Sequence, residues 1–85
     1  MSMPRFRLTG ASQPTLRRGQ EARVYAAFPP HPEVWALEKL VKRCCEQGYK
    51  DAIEEQPPTL LFVWLSILHH LRNLRARGIV EEIDD

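Results

Sequence analysis

Residues 68–81 read LHHLRNLRARGIVE and carry the clearest secondary-structure signals in the chain. The leucines of this stretch, Leu68, Leu71 and Leu74, recur every three residues, which places them along one face of a helix. Gly78 follows, and glycine readily takes the left-handed conformation that ends a helix. The residues at 79–83 begin with two β-branched side chains, which favour a strand. The stretch therefore predicts the end of a helix, a tight turn and a short strand.

The same helix extends back to Thr59, which follows two prolines and is a suitable N-cap. Trp64 and Ile67 continue the leucine face toward the start of the helix. We therefore predict a third and longest helix from Thr59 to about Arg77, with these apolar side chains packed on the core.

The start of this helix is apolar nearly all round. Five large apolar side chains occupy its first turns: Leu60, Leu61, Phe62, Val63 and Leu65. They cannot all face one small core, so we expect part of this surface to meet another chain or the N-terminal segment. The run is too short to cross a bilayer, which takes about 20 apolar residues, and we expect no membrane partner.

Two shorter helices are predicted before it. The first begins at Gly19 or Gln20 and is stopped by Pro29 and Pro30. The second opens at Pro32 and Glu33, since proline suits the first helical position, and ends at Gly48. A connector of mixed charge follows over 49–58.

The N-terminal segment alternates basic and apolar residues from Arg5 to Leu8, which fits either a short strand or a flexible basic arm. As a strand it would pair with residues 79–83. We therefore divide the chain into 1–18, a basic N-terminal arm or short strand, and 19–85, the helical domain.

Composition fits one small globular domain: 85 residues, 44% of them apolar and 27% charged. The net charge of +1 hides two basic groups and an acidic C-terminal segment. Arginine forms bidentate bonds with phosphate or carboxylate, so these groups suit a polyanion. The arginines are Arg5, Arg7, Arg17, Arg18 and Arg23 in the first group and Arg72, Arg75 and Arg77 in the second.

The two cysteines, Cys44 and Cys45, are adjacent within the second predicted helix. Adjacent helical side chains point about 100° apart, which disfavours a disulfide between them and favours a reducing compartment. Arg5 and Arg7 interrupt any signal-peptide-like stretch at the N-terminus. We therefore expect a cytoplasmic protein.

Catalytic and metal-binding patterns are weak. Ser66 and His70 lie four residues apart, but no third group is indicated, and a catalytic site needs a nucleophile, a base and a stabilising group together. The histidines and cysteines show none of the usual zinc spacings. We therefore expect no enzyme, no cofactor, no metal and no small-molecule substrate.

Residues 68–81 resemble the end of the recognition helix and the start of the wing in winged helix-turn-helix proteins. The resemblance implies a mainly α fold with a small β element: a winged-helix-like three-helix domain with a short C-terminal strand. The strand predicted over Arg5–Leu8 would then stand in for the second wing strand, which is not found after residue 83.

The resemblance favours a homodimeric regulator that binds double-stranded DNA. In that reading Arg72, Arg75 and Arg77 contact phosphates, and His69, His70 and Asn73 lie near base edges. The arm would run along the backbone or the minor groove through Arg5, Arg7, Arg17 and Arg18.

The alternative is a protein-interaction module, of the kind found in phage- or plasmid-type adaptors and inhibitors, that docks through residues 60–65. It is favoured by the start of the third helix, where residues 59–66 carry few side chains able to read base edges.

Overall fold

A computed structural model describes residues 3–10, 15–17, 19–53 and 59–83. Within them the chain forms three α-helices, one short 3₁₀ helix and three strands. In chain order these are β1 (Arg5–Leu8), α1 (Gln20–Ala26), β2 (Trp35–Ala36), α2 (Leu37–Glu46), the 3₁₀ helix (Tyr49–Ala52), α3 (Leu60–Ala76) and β3 (Val80–Ile83). The predicted fold class is confirmed: the described chain is mainly α with a small β element, and its helix order fits the winged-helix-like arrangement.

The strands form one antiparallel sheet in the order β2-β1-β3. Arg5 lies opposite Ile83 and Leu8 opposite Val80, so the predicted pairing of the N-terminal strand with the C-terminal one is confirmed. Successive side chains of a strand point to opposite faces of the sheet. In β1, Phe6 therefore faces the core and is fully buried, while Arg7 on the other face pairs with a carboxylate of β3.

The core lies between this sheet and the helices. Fully buried side chains come from every layer, including Phe6 of β1, Val24 of α1, Leu40 of α2 and Leu71 of α3. The first helix agrees with its predicted bounds, and Phe28 packs just beyond its end.

The second helix begins later than predicted. It starts at Leu37, not at Pro32 or Glu33, because residues 35 and 36 are extended and pair with β1. The Leu37 backbone N–H continues this ladder by donating to the Pro4 carbonyl at 2.8 Å. Tertiary pairing of a β-favouring tryptophan thus overrides the helix-start signal of the proline. The predicted end is confirmed, with Gly48 in the left-handed region at φ +84°.

The third helix agrees closely with its prediction. The Thr59 hydroxyl accepts a hydrogen bond from the Phe62 backbone N–H at 3.1 Å, which makes it the N-cap. At the other end Gly78 has φ +74°, and the Ile79 N–H donates to the Leu74 carbonyl, which turns the chain into β3. Gly78 is thus the turn residue that the sequence indicated.

Within the described residues, no helix combines the length and the apolar character that crossing a membrane requires.

Candidate docking surface and charged sites of the third helix

Four large apolar side chains at the start of α3 are exposed. Their exposed fractions are 62% for Leu60, 69% for Leu61, 40% for Phe62 and 56% for Leu65. We call these four residues the docking surface. Large apolar side chains grouped in this way on a small domain commonly mark a binding site.

Val63 differs from its prediction. We expected it on the interface, but it is fully buried and packs in the core with Ile67, Leu71 and Leu74. Helix geometry accounts for this, since residues 63, 67, 71 and 74 follow one face of α3 while 61 and 65 follow the opposite one. Trp64 lies between the two faces and is half-buried against the core.

The core is therefore complete without the docking surface. Every turn of α3 from Val63 onward supplies one fully buried side chain, and the opposing positions of α1, α2 and β1 are buried as well. The exposed residues of the first turns are extra apolar surface, and this surface has no covering partner among the described residues.

The outer face of α3 changes character along its length. Leu61 and Leu65 are followed on that face by Arg72, which is exposed and makes no hydrogen bond or ion pair with a described residue. His69 is also exposed, and the Asn73 amide donates to its Nε2 at 3.2 Å. Arg72, His69 and Asn73 thus form a small polar group at the basic end of the helix.

Most of the other arginines predicted to bind DNA are engaged within the chain. Arg75 pairs with Glu82 at 3.0 Å, and Arg7 pairs with Glu81 across the β1–β3 ladder. Both carboxylates belong to β3, so the acidic strand neutralises part of the basic surface around it. Exposed pairs of this kind contribute little to stability but reduce the positive potential offered to an anion.

Arg77 has a structural role. It pairs with Glu21 of α1, which is only 2% exposed, and it also donates to the Thr15 carbonyl at 2.8 Å. Burial raises the pKa of Glu21, but the Arg17 backbone N–H, which donates to its Oε2 at 2.6 Å, and the Arg77 guanidinium outweigh it and leave the pKa lowered. The charged pair joins the end of α3 to α1.

The predicted basic arm is only partly described. Arg5 lies half-buried in β1, and Arg17 is exposed just before α1. Arg18 lies outside the described residues. Residues 5–8 form the central strand of the sheet, so the strand alternative describes them and the flexible-arm alternative does not.

A partly buried polar chain connects the 3₁₀ helix, α3 and α1. The Tyr49 hydroxyl lies 2.8 Å from Ser66 Oγ, and the Gln20 amide oxygen accepts from Ser66 at 3.5 Å and from His70 Nε2 at 3.2 Å. Ser66 and His70 therefore meet through Gln20. Burial, with smaller effects from His69 and Arg17, lowers the pKa of His70 despite Glu21, and burial raises that of Tyr49.

Sequence reasoning missed Tyr49 and Gln20. Tyr49 falls in the segment predicted as a connector of mixed charge, yet it is fully buried, and its hydroxyl forms a hydrogen bond with Ser66. The signal that could have found it is the aromatic residue itself, since tyrosine has a large apolar ring to bury and its hydroxyl usually finds a hydrogen-bond partner when buried.

The cysteines are both free thiols. Cys44 is buried in the core, and burial together with the neighbouring Cys45 raises its pKa to about 12, which keeps it protonated and unreactive at neutral pH. Among the described residues, no three histidine, cysteine or acidic side chains are grouped to hold a metal ion.

No protein-family model, curated protein or solved structure matches this chain. Three features of the structure bear on function: the docking surface, the basic end of α3, and the arginines that pair with carboxylates, which are Arg7, Arg75 and Arg77.

Proposed function

We propose that this chain is a non-enzymatic protein-interaction module that docks through the start of α3. The observation that carries the proposal is the exposure of Leu60, Leu61, Phe62 and Leu65 beside a core that is already complete. Burying such side chains against a partner gains roughly 25 cal/mol for each Å² of apolar area removed from water. The surface suits the apolar face of a helix, either in another protein or in a second copy of this chain.

The arginine contacts favour this proposal over DNA binding. Three of the arginines expected at phosphates, Arg7, Arg75 and Arg77, already pair with carboxylates of the chain. Contact with a phosphate would require each of them to be shared or released. The half of α3 that would enter the major groove is also the half that exposes leucine and phenylalanine, which cannot read base edges by hydrogen bonds.

DNA binding is the second candidate because of Arg72. Its guanidinium is free of contacts with the described residues, and His69 and Asn73 lie beside it on the exposed surface. In this candidate the chain is a winged-helix-type regulator, the docking surface joins two copies, and the end of α3 contacts the duplex.

The proposal also places the chain in the cytoplasm. Two free neighbouring thiols, one of them a core residue, support a reducing compartment.

The two candidates are separated by a pair of matched substitutions. Leu61→Asp places a carboxylate on the docking surface in the first turn of α3, where the helix dipole tolerates it. Ala76→Asp places the same group at an exposed position in the last turn of the helix, where the dipole disfavours it by up to about 1 kcal/mol, and serves as a control with the larger electrostatic cost. The free energy of unfolding of each variant is measured first, and we expect both to stay folded.

Self-association is then followed by light scattering over a concentration series, and capture of partners from cells of the source organism is compared among the three proteins. We expect wild type and Ala76→Asp to bind the same partner, or to dimerise, while Leu61→Asp does neither. Equal behaviour of both variants would overturn the proposal.

Binding to random duplex DNA at about 50 mM and 200 mM salt completes the test. Steep salt-dependent binding that Leu61→Asp retains and Arg72→Ala loses would favour the regulator.

A further inference from the structure

A shallow groove of about 410 Å³ lies on the outer side of α2, away from the docking surface. Its principal lining residues are Trp35, Glu38, Lys39, Lys42, Arg43 and Glu46. The charged positions 39, 42, 43 and 46 recur at the spacing that places side chains on one helical face. Its volume falls within the roughly 300–1,000 Å³ of small-molecule sites.

Trp35 lines this groove, and its indole ring carries a donor without a partner among the described residues. Its indole Nε1 is shielded from solvent and has no hydrogen-bond partner within the described residues. A buried donor left in this way is unfavourable, so an acceptor that reached it would be stabilised. Lys39 Nζ lies 4.6 Å from the centroid of the same indole ring, which places a flexible cation beside the donor.

The cations of the groove contrast with Arg7, Arg75 and Arg77, which pair with carboxylates of the chain. Lys42 and Arg43 are exposed and form no ion pair with a described residue, although Glu38 and Glu46 line the same groove. Among the described residues, Lys39 forms no ion pair, and its Nζ lies over the indole face. Three cations therefore stand against two carboxylates here, and their charges are not taken up by close pairs.

We propose that this groove binds a small phosphate-bearing molecule with a flat apolar part. A phosphate offers enough oxygens to accept from Lys39, Lys42 and Arg43 together, which the two oxygens of a carboxylate do not. The indole ring supplies a flat apolar wall for the rest of the molecule, and movement of Lys39 from the ring face toward the phosphate would uncover that face. The site lies on a different helix from the docking surface and stands independently of the proposed function.

The test follows the indole N–H signal of Trp35 by ¹⁵N–¹H NMR of the full chain. Trp64→Phe removes the other indole signal and assigns the one that remains. Three probes are compared. Phenyl phosphate carries both the anion and the ring, inorganic phosphate carries the anion alone, and phenol carries the ring alone. We expect a saturable shift of the Trp35 signal with phenyl phosphate, a smaller one with phosphate at the same concentration, and none with phenol.

Lys42→Gln together with Arg43→Gln should weaken the phenyl phosphate response at least about tenfold, since two of the three cations that would hold the phosphate are lost. The control is Arg23→Gln, which removes an exposed arginine of α1 that does not line the groove. An unchanged indole signal of Trp64 in the variants shows that they remain folded.

Several results would overturn the site. They are a Trp35 signal that does not move, a response that sodium chloride reproduces at equal ionic strength, and equal weakening by Arg23→Gln. Movement with duplex DNA but with none of the small probes would reassign the groove to a nucleic acid and reject the small-molecule ligand.

Discussion

The two halves of α3 differ in a way that hydropathy and charge alone do not reveal. The first half is apolar but largely exposed, with Leu61 and Leu65 more than half accessible. The second half is rich in basic residues, but Arg75 and Arg77 are held by Glu82 and Glu21. The exposed apolar side chains of the first half are available to a partner, while Arg75 and Arg77 of the second half are occupied and Arg72 has no contact with a described residue. Availability is set by tertiary neighbours, because the partner carboxylates come from other elements.

Two leucines of the same helix test this contrast most strongly. Leu71 is fully buried and Leu61 is 69% exposed. We expect Leu71→Ala to lower the free energy of unfolding by about 3 kcal/mol through the lost burial and the cavity. Leu61→Ala should change it by less than about 0.5 kcal/mol, as is usual for surface positions. Urea unfolding of both variants measures the difference, and similar losses would mean that the first half of α3 also belongs to the core.

The next largest effect is expected at Arg77. Arg77→Ala leaves the carboxylate of Glu21 buried without its cation and should cost about 2 kcal/mol, less than a fully buried pair because Arg77 is partly exposed. Since the pKa of Glu21 is lowered in the folded chain, its contribution is present above its ordinary value of 4.5 and is lost as the pH falls through the folded value. Wild type should therefore lose more stability than Arg77→Ala on acidification below about pH 4.5. Parallel pH profiles of unfolding would contradict this role.

A charge exchange tests how the docking surface would pair with itself. If two copies pack α3 antiparallel with residue 61 against residue 65, Leu61→Lys and Leu65→Glu should each lose self-association. Mixing the two variants should restore it at least about tenfold over either alone, because lysine then meets glutamate. Light scattering of the single and mixed samples measures this. In a parallel pair the new charges would not meet, so a lack of rescue would reject the antiparallel arrangement.

The smallest effect is expected at Arg75. Its pair with Glu82 is exposed, and Arg75→Ala should change the free energy of unfolding by less than about 0.5 kcal/mol. The free energies of unfolding of Arg75→Ala and Arg77→Ala are compared in the same urea series. Their difference shows whether burial of the carboxylate makes the Arg77–Glu21 pair the more stabilising one. A loss equal to that of Arg77→Ala would mean that the β3 edge contributes more than its exposure indicates.

Local patterns predicted much of the fold. Alternation at Arg5–Leu8, the cap at Thr59 and the turn at Gly78 each depend on a few neighbouring residues, and each is confirmed. The start of α2 could not be predicted in the same way, because Trp35 and Ala36 are extended by pairing with residues 5 and 6. Long-range pairing decided that boundary, and the sequence around Pro32 does not contain it.

The candidate sites divide along the same line. Exposure of the apolar start of α3 could be expected, since one helical face cannot hold five large side chains. The prediction was wrong for Val63, which belongs to the core and not to the exposed surface. Pairing of Arg77 with Glu21, 56 positions away, could not be expected, because the sequence does not show which distant charged residues the fold brings together. The groove at Trp35 could not be expected from the sequence, because it forms only where β2 meets α2.

The central position of β1 has a consequence for the order of folding. Arg7 and Glu81 are partners across the ladder although they stand 74 positions apart. Closing so long a loop costs entropy before any strand contact is gained, whereas each helix forms from near neighbours. We therefore expect the helices to collapse together first and the sheet to close late, as the slow step that completes the domain.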